Sequence, residues 1–84
     1  MIAGKFAIDE WVSSGGSATV YRAHDIRTGD QVALKLIALR TPQDGPRFAR
    51  EVQILGELQH PRVVRYLEHG FTPAGAYLAM EWLP

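Results

Sequence analysis

Apolar and polar positions follow two rhythms along this chain, one of period two and one of helical period. Phe6 to Val12 alternates, with Phe6, Ile8 and Val12 on one side and Ala7, Asp9 and Trp11 on the other, which predicts a half-buried strand. Ser13-Ser14-Gly15-Gly16-Ser17 reads as a flexible connection, and Thr19 to Ala23 resumes the β-rich pattern, so the first two strands form a hairpin. Asp25 to Asp30, containing Thr28-Gly29-Asp30, is a second turn. Gln31 to Leu39 is nearly continuous in apolar character, interrupted by Lys35. A loop over Thr41 to Pro46 then leads into apolar positions at Phe48, Val52, Leu55 and Leu58, a helical spacing. Asp44 or Gly45 can cap this helix, and Pro46 suits its first position because the missing N–H would be unpaired there. The helix is expected to end near Gln59, since Pro61 disfavours helical geometry at His60. Val63 to Leu67 and Ala76 to Leu83 read as strands, separated by a turn through Thr72, Pro73, Ala74 and Gly75.

The order is strand, strand, strand, helix, strand, strand. An α+β fold, with a five-stranded antiparallel sheet and one helix packed against it, is the economical way to bury these faces. At 84 residues there is room for one small domain, close to the lower limit for a core that folds alone.

Composition narrows the function. Apolar residues make up 46% of the chain, as in a globular protein. Nine basic side chains balance nine acidic ones, which removes the electrostatic reason to expect nucleic acid or an anionic membrane as partner. The absence of cysteine excludes disulfides and thiolate metal sites and fits a reducing compartment. No stretch approaches the roughly 20 apolar residues that cross a bilayer, and Met1 to Lys5 lacks the apolar run of a signal peptide. The chain is expected to be soluble and cytoplasmic.

The chemistry starts at Lys35. A lysine inside an apolar strand is desolvated unless a counter-charge or anionic ligand meets it; the more ordinary account is an edge-strand lysine that snorkels to water. Glu51 sits beside the apolar stripe of the helix, one position before Val52. It reads either as a solvated carboxylate paired with Arg47 one turn earlier, or as the partner of Lys35. The Ser13 to Ala18 segment is by itself an ordinary glycine-containing turn. Glycine gains meaning there if backbone N–H groups must approach a phosphate unobstructed.

Taken together, Ser13-Ser14-Gly15-Gly16-Ser17-Ala18-Thr19-Val20, Val32-Ala33-Leu34-Lys35 and Arg50-Glu51 resemble the protein-kinase signature of glycine-rich loop, third-strand lysine and helix glutamate. His60-Pro61-Arg62-Val63-Val64-Arg65 resembles the segment after the kinase helix, and Met80-Glu81-Trp82-Leu83-Pro84 looks like the hinge between kinase lobes. The loop is most similar to those of bacterial serine/threonine kinases. The resemblance spans nearly the whole chain and implies that residues 1–84 are the small, ATP-binding lobe, ending at the hinge.

In such a lobe Gly15, Gly16, Ser17 and Ala18 would offer backbone donors to ATP, and Lys35 would meet its α- and β-phosphates while Glu51 holds the ammonium. Val12, Val20 and Ala33 would cover the adenine, with plain core packing an equally good account of these apolar positions. The main chain of Glu81 and Leu83 would meet the adenine edge, and Met80 would guard the pocket behind it. Leu55 and Tyr66 match the small-lobe members of a hydrophobic column. Ser13 stands where the family usually has its first loop glycine, and Ala18 where the third is usual. The serine bears on phosphate affinity because its Cβ restricts the backbone.

No residue matches the family's catalytic aspartate or its Asp-Phe-Gly magnesium motif, so this chain supplies no expected metal ligand. Those groups would belong to a large lobe after Pro84. Alone, the chain is expected to be inactive and to self-associate through an exposed underside that includes Leu55, Tyr66 and Leu83. Protein substrates would be those of the full-length kinase. The alternative is a pseudokinase-like module whose surface binds protein instead of turning over ATP.

Overall fold

Six elements follow in the predicted order: β1 (Phe6–Gly15), β2 (Ala18–Asp25), β3 (Gln31–Ile37), α1 (Asp44–Glu57), β4 (Tyr66–Thr72) and β5 (Gly75–Glu81). The computed structural model describes residues 1–15, 18–57 and 65–82, the side chains of 54–57 excepted. The helix end near Gln59, the strand start at Val63, and Gly16, Ser17, Leu58, Leu83 and Pro84 lie outside the described residues. Among the described residues no helix is long and apolar enough to cross a membrane.

The strands form one antiparallel sheet in the order β1-β2-β3-β5-β4, the five-stranded sheet with one helix that the sequence predicts. The sheet curls strongly. Three flat strand spacings would separate β1 from β5 by ~14 Å, yet the rings of Phe6 and Tyr77 meet edge to face with centroids 5.8 Å apart. Lys5 Nζ reaches still further, donating to Glu68 Oε2 on the far edge strand at 3.0 Å. Twist thus brings the two sheet edges together over a core of Phe6, Ala23, Val32, Leu34, Tyr77 and Ala79. On the opposite face α1 packs Phe48 and Val52 over Ala76 and Leu78, with Ile37, Leu39 and Tyr66 beside them.

Three expectations need correction. β1 continues through Ser13 and Ser14 to Gly15 instead of yielding to a flexible connection. Its register slips between Ile8 and Glu10 and again between Trp11 and Ser13, leaving Asp9 and Val12 as the extra residues of two β-bulges. The first bulge reverses the phase of the alternation. Trp11 therefore pairs with Tyr21 and joins the Phe6 face, whereas period two placed it opposite.

The fourth strand runs from Tyr66 to Thr72, beyond the predicted end at Leu67. Here hydropathy misleads: Phe71 is 68% exposed while Glu68 and Gly70 are half-buried. Glu68 is tolerated because Lys5, Arg27 and the Tyr77 hydroxyl all donate to it. Gly70 leaves room for the Tyr77 ring, whose Cε1 would stand 2.7 Å from any added Cβ.

At the helix start Asp44 turns backward. Its Oδ2 accepts the amides of Arg40 (2.7 Å) and Thr41 (3.0 Å), fixing the approach loop, and the Gln43 carbonyl accepts the Arg47 N–H as the first helical acceptor. Pro46 is then the third helical residue, still inside the turn whose N–H groups lack helical partners. The β4–β5 turn falls as expected, with Thr72 paired to Gly75. The Asp25–Asp30 turn also holds, with Gly29 at φ 80° and Asp25 Oδ1 accepting the Arg27 N–H at 2.8 Å.

Candidate functional site

Strand alternation divides β3 between the two faces. Val32, Leu34 and Leu36 enter the curled core, and Ala33, Lys35 and Ile37 face the helix side. Register carries this division across the sheet. Lys35 lies between Val20 on β2 and Leu78 on β5, Ala33 between Arg22 and Met80, and Ile37 between Ala18 and Ala76. The helix covers the Ile37, Ala76 and Leu78 end of this face. Val20, Ala33 and Met80 at the other end remain partly open.

Lys35 marks the border between the covered and open parts. Its ammonium meets Glu51 of α1, with Nζ and Oε1 2.5 Å apart. Glu51 therefore takes the partner on the sheet, and the local alternative, Arg47, is not among its ion pairs in the described residues. The helix is tied down by Phe48, which stacks edge to face on His69 and Phe71 of β4. Both charges keep some water: the side chains are 28% and 36% exposed. An ion pair of that exposure adds little stability, because solvent screens it. Its structural consequence is positional, since it holds a cation at a fixed height over the sheet.

A cavity of about 220 Å³ opens beside the pair, lined by Gly15, Ala18, Lys35, Ile37, Asp44, Arg47, Phe48 and Glu51. A Cβ built on Gly15 would meet nothing within 4 Å. Space alone therefore does not require a glycine at this position. Arg47 and Asp44 were not anticipated here; the one signal for Arg47 was its position a turn before Glu51 on the same helix face. Larger hollows, of about 260 Å³ beside Ala38 and Arg40 and about 320 Å³ beside Arg65 and Trp82, lie apart from Lys35.

The remaining expected positions divide clearly. Val12 is a bulge residue on β1, 41% exposed, and Ser13 pairs with Val20. Met80 is half-buried opposite Ala33 and beside Tyr66. Glu81 is the last residue of β5; its N–H donates to the Arg65 carbonyl at 2.8 Å and its carboxylate approaches the Arg65 guanidinium at 3.7 Å. Gly16, Ser17 and Leu83, and the side chain of Leu55, lie outside the described residues. Tyr66, the other column residue, is half-buried, and its hydroxyl bonds His69 Nδ1 at 2.5 Å.

A second ionic cluster stands on the other face. Arg27 grips Asp25 through Nη2 (2.7 Å) and Nε (3.0 Å) and reaches Glu68 at 3.3 Å. The Arg27 side chain and then its N–H hold the Asp25 carboxyl down at about 2. Burial pushes Glu68 up, but the Lys5 and Tyr77 hydrogen bonds outweigh it and the net shift is downward. This cluster closes the sheet and, among the described residues, shares none with the lining of the Lys35 cavity.

The protein kinase domain family matches residues 6–84 of the chain. Over 74 residues the chain is 43% identical to the DNA damage-responsive serine/threonine-protein kinase RqkA of Deinococcus radiodurans, covering 87% of this chain and 11% of that protein. Over 92 residues it is 38% identical to the probable serine/threonine-protein kinase SCO3848 of Streptomyces coelicolor, covering 98% of this chain and 13% of that one. The chain thus spans a small part of the length of these relatives. With the lysine–glutamate pair joined across strand and helix, and a family match over nearly every residue, this chain belongs to the protein kinase domain family.

Proposed function

We propose that this chain is the ATP-binding lobe of a serine/threonine protein kinase, and that the open part of its helix-bearing face cradles the nucleotide. The observation that carries this reading is the Lys35–Glu51 pair at the mouth of the Gly15 cavity. The donor set fits a polyphosphate. Lys35 supplies a fixed cation, Gly15 and Ala18 bring main chain to the cavity without bulk, and Glu51 keeps the ammonium from swinging toward solvent. Val20, Ala33 and Met80 are partly open on this face and, with Val12, are proposed to cover the base. The main chain after Met80 is proposed to meet the base edge.

Bound ATP supplies the phosphoryl group to be transferred. This chain's own contribution is positioning: Lys35 orients the α- and β-phosphates, and the glycine-containing strand ends exclude water above them. The aspartate base and magnesium ligands of the family motifs have no counterpart among the 84 residues. Phosphoryl transfer to protein serine or threonine is therefore proposed only for a longer protein that carries them, with magnesium accompanying the nucleotide there.

The test is an NMR titration of the chain with adenosine and then with ATP and magnesium. Adenosine should perturb the amides of Val20, Ala33 and Met80, and ATP should add Gly15, Ala18 and Lys35. Perturbations confined to the Arg65 and Trp82 hollow, or to the Arg40 side, would contradict the proposed cradle.

A further inference from the structure

We infer that the hollow beside the β4–β5 turn binds a small amphipathic anion, an aliphatic carboxylate with its tail in the hollow and its head on Arg40. The space measures about 260 Å³ and opens between the end of β3 and the turn that joins β4 to β5. The turn lies close on β3, since a Cβ on Gly75 would collide with the Ile37 carbonyl oxygen. Around that contact Ala38, Ala74 and Ala76 are too short to fill the remaining space. The floor is the rim of the curled core: Ile2 and Leu36 line the hollow and pack on the Phe6 and Tyr77 cluster. The neighbouring Met1 is 76% exposed and is not among the lining residues. An apolar tail laid on this floor would remove from water a surface continuous with the core. The lining shares only Ile37 with the Lys35 cavity, so the inference stands apart from the nucleotide reading.

Charge selects the head group. Among the described residues that line the hollow, Arg40 is the one that carries a charge, and none is a carboxylate. Arg40 is exposed and, among the described residues, joins no ion pair. The carboxylate closest to it in sequence, Asp44, accepts the main-chain amides of Arg40 and Thr41 instead. Thr72 Oγ1 accepts the Ala74 N–H at 3.2 Å, so the hydroxyl at the turn is already engaged. The guanidinium is left to meet an outside acceptor, and its planar fork of N–H donors matches a carboxylate. Floor and rim thus ask for different ends of one molecule. A neutral chain would use the floor alone, and a bare anion the cation alone.

The experiment is an NMR titration of the chain with hexanoate, with hexanol and with acetate. Hexanoate should move the amides of Thr19, Leu36, Thr72 and Ala76 and bind roughly three- to tenfold more tightly than hexanol, the effect of one solvent-screened charged hydrogen bond. Acetate should leave those amides unmoved over the same range. Arg40→Gln keeps the main-chain amide that Asp44 holds and should lower hexanoate affinity to that of hexanol, while Arg40→Lys should keep part of the difference. Ala74→Leu places bulk in the hollow from an exposed turn position and should abolish binding of both, with the signals of the sheet retained. Hexanoate and hexanol binding alike to the wild type overturns the inference, as does hexanoate affinity indifferent to Arg40→Gln. Shifts confined to the lining of the Lys35 cavity, or no saturable shift at millimolar hexanoate, overturn it as well.

Discussion

Lys35 and Glu51 stand sixteen residues apart in the chain, and the packing of α1 on the sheet brings their charged atoms within 2.5 Å. Neither residue is held by its own element alone. Lys35 is placed by the alternation of β3, and Glu51 by the Phe48 and Val52 contacts that seat the helix over Ala76 and Leu78. Position, more than stability, is what such a pair supplies at this exposure.

Glu51→Gln should therefore separate two properties. Thermal unfolding should shift by no more than the ~0–1 kcal/mol of a partly exposed ion pair, while ATP affinity falls several-fold as the ammonium loses its anchor. Calorimetric melting and nucleotide titration on the same sample check this; a large stability loss with unchanged affinity would reverse the assignment.

Ala33 lies in the middle of the open patch, between Arg22 and Met80. Ala33→Leu should fill that patch and abolish binding of adenosine as well as ATP. Circular dichroism should show the sheet intact, because the added atoms point away from the Val32 and Leu34 core.

Two glycines are fixed by space. A Cβ on Gly70 would stand 2.7 Å from Tyr77 Cε1, and one on Gly75 only 2.2 Å from the Ile37 carbonyl oxygen, with φ already at 149°. Gly70→Ala should cost about 1–3 kcal/mol of stability through displacement of the Tyr77 ring. Gly75→Ala should cost more, since the obstacle is main chain and the backbone conformation disfavours any side chain. Urea denaturation of both variants measures the order.

Acid should act through the sheet-closing cluster. The Asp25 carboxyl is lowered from 3.8 to about 2, so its contribution is complete above about pH 4 and is lost as pH falls toward 2. Glu68 is shifted in the same direction and adds to the same limb. Asp25→Asn should flatten the fall in melting temperature across that window; an unchanged acid limb would mean that Arg27 does not discriminate the ionised form.

What could be read in the sequence follows from what leaves a mark on residue types. Lys35 interrupts an apolar strand, Glu51 flanks an apolar helical stripe, and the turns carry Gly29 and Pro73, so the sheet, the helix and the pair were all visible. The bulges at Asp9 and Val12 are main-chain features that no residue type announces, and between them they silently rephased Glu10 and Trp11. β4 was misplaced because its inward positions include Glu68 and Gly70, acceptable only through the distant partners Lys5, Arg27 and Tyr77. Asp44 has the right chemistry for a cap, yet the loop amides of Arg40 and Thr41 compete for it and win.

The central claim is that Lys35 is a cation poised for phosphate, and calorimetry of ATP with magnesium on wild type and Lys35→Ala tests it most directly. The account predicts weak but measurable ATP binding that drops roughly ten- to a hundredfold in the variant, the effect of one charged hydrogen-bond donor, with adenosine binding unaltered. ATP binding of equal strength in both forms would contradict it.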